Sequence, residues 1–142
     1  MKMLSMVLLC ALLILGFGPE PARGQLPGST PLSTAGTTPE EVTHFLSQLQ
    51  TAVAKNRRDD VAKMFSYPAK CWGGKSLTIN NRKMLLNYYE AIFTPDVKKI
   101  IADATLDTTW ANWQGVMLAN GRIWFSKDGE KGPLKIATIN SP

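Results

Sequence analysis

Residues 114–126, "QGVMLANGRIWFS", alternate around Asn120-Gly121 in a way that leaves few folds open. Asn-Gly suits the two positive-φ positions of a type I′ turn, so the flanking runs read as the arms of a β-hairpin. A two-residue turn pairs Ala119 with Arg122, Leu118 with Ile123, Met117 with Trp124 and Val116 with Phe125. Val116, Leu118, Ile123 and Phe125 then share one face, and Met117, Ala119, Arg122 and Trp124 share the other. A hairpin with one wet side carries polar residues there, whereas both of these faces are largely apolar. The first face is the better core candidate. The second is a pocket wall or an interface with a second chain, and the expectation is an interface.

The β pattern starts near Thr105. "LDTTWANWQGVMLANGRIWFS" and "PLKIATIN" read as at least three antiparallel strands, with "KDGEKG" as a further turn. The chain ahead of it is mainly helical. In "TPEEVTHFLSQLQTAVAKN", Thr38 caps, Pro39 suits the first helical position and Glu41 completes a capping box. Val42, Phe45, Leu46, Leu49, Ala52 and Val53 then fall on one stripe. A short second helix follows Asp59 or Asp60, with Val61, Ala62, Met64 and Phe65 inward and Pro68 as its stop. "AKCWGGKSLTI" reads as two short strands around Gly73-Gly74. Asn80 or Asn81 caps a third helix, "RKMLLNYYEAIF", centred on Leu85, Tyr89, Ile92 and Phe93 and flanked by Met84, Leu86 and Tyr88. An arc that wide has to be covered on several sides. Thr94-Pro95-Asp96 starts a fourth helix over Val97, Ile100 and Ile101. Helices first and a meander last predict an α+β domain with helices on one face of an antiparallel sheet.

The N-terminus, "MKMLSMVLLCALLILGFGPEPARGQ", has a positive end at Lys2 and an apolar run from Leu4 to Phe17. That run falls short of the about 20 residues that span a bilayer and fits the core of a secretory signal. Ala22 and Gly24 place cleavage after Gly24, which divides the chain into a signal peptide (1–24), a flexible Pro/Gly/Ser/Thr leader (25–37) and one domain (38–142). The expected location is periplasmic or extracellular, with no stable membrane insertion after cleavage. A formal net charge of +5 is mildly basic, and "KNRRDD" neutralises itself, so nucleic acid is not an expected partner. Cys71 becomes the sole cysteine once the signal leaves, hence buried and inert or used between chains; burial is expected.

The chain's one histidine, His44, points away from the first helix's apolar stripe, so it reads as solvent-facing rather than a general base. Nucleophile–histidine chemistry and metal binding therefore lack their residues, and no cofactor motif such as GxGxxG or a P-loop is present. Four tryptophans, Trp72, Trp110, Trp113 and Trp124, lie in or beside strands, where they pack a core or line a ligand site. Trp72, Tyr89, Trp113, Met117, Arg122 and Trp124 are the candidates for lining a ligand site or an interface.

The order of elements, and in particular "FLSQLQTAVAKNRRDDVAKMFSYP", "NYYEAIFTPDVKKII" and "WQGVMLANGRIWF", resembles the NTF2-like superfamily: nuclear transport factor 2, ketosteroid isomerase and SnoaL-type cyclases. The resemblance covers roughly residues 38 to 140 and concerns layout more than a catalytic signature; the fourth helix departs from the simplest form. It implies a cone in which a curved sheet wraps the long helix, an open end that often holds a ligand, and dimerisation through the sheet. The isomerase analogy asks for a pocket carboxylate and a neutral acid. Asp103 and Asp107 are the best-placed carboxylates, with Tyr67, Tyr88 and Tyr89 as donors, though no spacing selects a pair. The expected function is non-catalytic binding of a small apolar ligand or a partner protein, with a homodimer through the sheet. An isomerase- or dehydratase-like enzyme and a structural, accessory module are the alternatives.

Overall fold

The computed structural model describes residues 31–140 and 142. The export signal expected over 1–24 and the first part of the leader lie outside the described residues. The described part of the leader is ordered onto the domain. Leu32–Ala35 form a 3-10 turn, and Leu32 and Ala35 pack against the core. Thr37 is 4% exposed and donates its hydroxyl to Glu41 Oε2 at 2.8 Å. The packed region therefore begins ahead of Thr38.

Helix α1, Pro39–Ala54, opens with the expected capping box: Thr38 Oγ1 accepts from the Glu41 N–H, and Glu41 Oε2 accepts from the Thr38 N–H. Its buried residues are the stripe that the 3.6 period picks out, Val42 to Val53. Helix α2 spans Arg58–Lys63 and ends before Met64. Phe65 opens strand β1, Phe65–Trp72, and Pro68 lies inside that strand instead of stopping a helix. The reason lies in strand pairing: the register of β1 against its parallel neighbour shifts between Phe65 and Lys70, and a residue without an N–H fits at such an irregularity. Strand β2, Ser76–Ile79, pairs antiparallel with β1 across the Gly73-Gly74 turn.

The third helix of the sequence reading is two pieces, α3 (Arg82–Asn87) and α4 (Tyr89–Ile92), separated at Tyr88. The Tyr88 N–H is shared between the Met84 and Leu85 carbonyls at 3.1 and 3.2 Å, the tightened turn of a helix end. Re-phasing there lets one wide apolar arc meet more than one neighbour. Leu85, Tyr89, Ile92 and Phe93 are buried, as their central positions require. Helix α5, Pro95–Asp103, starts at Thr94, whose hydroxyl accepts from the Val97 N–H, and buries Val97 and Ile101. Gln50 of α1 closes its other end, donating to the carbonyls of Ile101 and Ala104 at 3.0 and 2.7 Å.

The meander follows a 3-10 turn (Leu106–Thr108) as four strands: β3 (Trp110–Asn112), β4 (Gly115–Leu118), β5 (Ile123–Lys127) and β6 (Leu134–Ile139). The six strands form one sheet in the order β2-β1-β6-β5-β4-β3. β1 and β6 run parallel, so the sheet is mixed and not wholly antiparallel as the sequence reading has it. Strand periodicity reports which residues share a face and is silent on which strand ends up beside β6. Three intervening helices supply the crossover that a parallel neighbour needs.

The helices cover the inner face. Val116, Leu118, Ile123 and Phe125 are 0–2% exposed, and Phe45 of α1 stacks on Phe125 with centroids 4.7 Å apart. Tyr89 stacks on Phe93 at 4.5 Å, and Phe93 meets Phe65 edge-on at 6.2 Å. The buried side chains of sheet and helices form one hydrophobic cluster.

Candidate functional site

Two places gather the residues that the sequence marks: the outer face of the sheet, and the end of the sheet at the β4–β5 turn. Register builds the first. Trp110 stands opposite Met117, and Met117 opposite Trp124, so three large apolar side chains line up across β3, β4 and β5. The row continues through Thr138 to Lys70 and Thr78. Trp110, Met117 and Trp124 are half-buried where their inner neighbours are closed off. Gly121 makes room for the row: a Cβ there would meet Trp124 Nε1 at 3.3 Å and Met117 Sδ at 3.6 Å. The fold also needs glycine there for its φ of +87°.

The turn itself differs from expectation in one respect. Asn120 and Gly121 take positive φ, and the Arg122 N–H reaches the Ala119 carbonyl at 3.3 Å, as a type I′ turn requires. Ala119 is left-handed too, with φ of 49°, and the ladder closes at Leu118 and Ile123. Ala119 and Arg122 therefore belong to the turn instead of forming a strand pair.

Freed from the ladder, Arg122 leaves the outer face to which alternation assigns it. Its Nη1 pairs with Asp96 Oδ2 in the first turn of α5, beyond the end of the sheet. The Arg122 side chain is 19% exposed and that of Asp96 61%. The Arg122 Nε is buried with no hydrogen-bond partner. Beside this pair lies a cleft of about 320 Å³, lined by Trp72, Gly73, Ile92, Val97, Arg122 and Asn140 among others. Trp72, Arg122 and the apolar floor thus come together from β1, the β4–β5 turn and the α4–α5 junction.

The other candidates are dispersed. Trp113 sits on the β3–β4 turn at 79% exposure, held out by an Asx turn in which Asn112 Oδ1 accepts from the Gln114 N–H at 2.8 Å. Tyr89 is a core residue, 0% exposed, with the Arg58 guanidinium 4.7 Å above its ring; burial holds its phenol above the ordinary tyrosine range. It lines neither the row nor the cleft. Asp103 is exposed and paired with Lys99 at 2.5 Å, and Asp107 is exposed. His44 is exposed on α1 at a shallow polar groove shared with Ser47 and Asp60. Tyr67 donates to the Ala62 carbonyl at 2.7 Å, and burial pushes its phenol up to about 12. Among the described residues, no group of three His, Cys, Asp or Glu side chains is placed to hold a metal, and no helix is long and apolar enough to cross a membrane.

Sequence reasoning passed over Asp96, Asn140 and the place of Trp110. Alternation along β3 could have put Trp110 opposite Met117 once its turn was recognised. Nothing local marks Asp96, 26 residues from its partner, or Asn140, which ties the end of β6 to the β4–β5 turn through the Gly121 carbonyl at 2.6 Å. Comparison of the chain with protein-family models, curated proteins and solved structures finds no match.

Proposed function

We propose that this chain is an exported NTF2-like domain that binds and does not catalyse, and that its main interaction is with a second copy of itself through the outer face of the sheet. The observation that carries this reading is the Trp110–Met117–Trp124 row, three apolar side chains in register on a face that the domain's own helices leave half-open. Contiguous apolar surface on a small domain is the mark of a contact surface. Indoles suit that role, since each supplies a large rigid area and one polar N–H.

The cone reading draws support from helices gathered on one face of an open six-stranded sheet that includes the meander. The hydrophobic cluster between sheet and helices favours an interaction module over a ligand held inside the cone. The exposed positions of Asp103 and Asp107 weigh against an isomerase-like base, which works from an apolar pocket.

Sedimentation tests the proposal. The wild type is expected to sediment as a dimer, and Trp124→Glu as a folded monomer, because Trp124 lies outside the protomer core. A monomeric wild type, or a Trp124→Glu variant that remains dimeric, overturns it.

A further inference from the structure

We propose that the cleft at the end of the sheet, between the β1–β2 turn, the start of α5 and the tip of the β4–β5 hairpin, is a binding site for a small, flat carboxylic acid. Four stretches of the sequence build it: "CWGG" supplies Trp72 and Gly73, "AIFTPDV" supplies Ile92, Thr94 and Val97, "NGRIWF" supplies Arg122, and "ATIN" supplies Asn140. Its volume of about 320 Å³ lies at the small end of the range for ligand sites. A cleft of that size suits a phenyl- or indole-sized molecule.

The walls specify the chemistry. Ile92 and Val97, 0% and 3% exposed, form an apolar floor. Trp72 stands beside it with 38% of its surface open, offering an indole face on which a flat ring stacks. Arg122 supplies the polar end. A guanidinium has five N–H donors in a fixed fork, and here Nη1 meets Asp96 while Nε is buried without a partner. Asp96 is well solvated and compensates the half-dry cation only weakly. Arg122 keeps 19% of its side chain open beside the cleft, and a carboxylate is the planar, singly charged group that a guanidinium matches.

Asp96 also sets the charge that the site accepts. A negative group beside the guanidinium disfavours a dianionic phosphate more than a single carboxylate. Thr94 Oγ1 accepts from the Val97 N–H and Asn140 Nδ2 donates to the Gly121 carbonyl, bonds that fix the walls on either side of Arg122. The cleft does not include the Trp110–Met117–Trp124 row, so the proposal stands or falls independently of dimerisation.

The test titrates the purified protein with phenylacetate, its uncharged amide and inorganic phosphate, followed by calorimetry and by NMR of the indole N–H and methyl signals. Phenylacetate is expected to shift the Trp72 indole and the Ile92 and Val97 methyls, and to bind about tenfold or more tighter than the amide. Arg122→Gln removes that preference. Because it also cuts the tie to Asp96, Trp72→Ala provides a second variant on an open wall: it weakens both probes and leaves the melting temperature in place. Equal binding of acid and amide overturns the proposal, as does tighter binding of phosphate. So do shifts confined to another surface, such as the groove beside His44, or the lack of saturable binding at millimolar probe.

Discussion

Cys71 shows how much one residue's chemistry depends on where its strand lies. It sits in β1 between Leu77 and Ile139, 4% exposed, and burial pushes its thiol up to about 11. The low exposure and raised pKa make it inert to thiol exchange while the domain is folded. They also set a pH dependence. The unfolded thiol ionises near 9.0 and the folded one near 11, so its contribution is fully present below about pH 9 and is lost as pH rises through that window. The loss amounts to at most about 2–3 kcal/mol. Urea unfolding below pH 9 and near pH 11 is expected to show it, with a smaller drop in Cys71→Ala. Tyr67 ionises over an overlapping range, and the comparison of the two proteins separates the contributions. That Cys71 is buried was legible from its being the sole cysteine outside the expected signal, since an unpaired cysteine packs as a small hydrophobe. That Arg122 leaves its expected face was not, because its partner Asp96 lies on another element and no pattern around either residue connects them.

At the scale of elements, the start of α1 is tied to the far end of β5. Glu41 completes the capping box, takes the Thr37 hydroxyl and accepts from Lys127 Nζ at 2.7 Å. These partners, Lys127 first and Thr37 next, hold its carboxyl below the ordinary value of 4.5. Stability from this carboxylate is therefore present above about pH 4.5 and lost as pH falls through the lower folded value. Glu41→Gln is expected to lower the denaturation midpoint at neutral pH and to flatten its decline in acid. An unchanged acid profile would show that the cap, and not the charge, does the joining. The cap and the apolar stripe of α1 are local and were readable. The split between α3 and α4 and the strand through Pro68 were not, since both answer to neighbours that the local sequence does not contain.

Across the whole molecule, the two faces of the β4–β5 hairpin have different duties. Phe125 stacks on Phe45 under the helices, and Phe125→Ala is expected to cost roughly 3–5 kcal/mol by opening a cavity. A thermal melt checks it; a loss below about 1 kcal/mol would place the core elsewhere. The hairpin's register and the buried residues of α1 follow from the sequence by itself, because a period of 2 or 3.6 and a turn dipeptide are short-range properties of the chain. The pairing of β1 beside β6, the mixed sheet and the sharing of one cleft by Trp72 and Arg122 were decided only by the tertiary structure. Periodicity tells a strand which side to bury. Which strand lies beside it, and which side chains then share a cleft, depends on three helices packing on one face and on a turn residue, Arg122, finding its counter-charge on one of them.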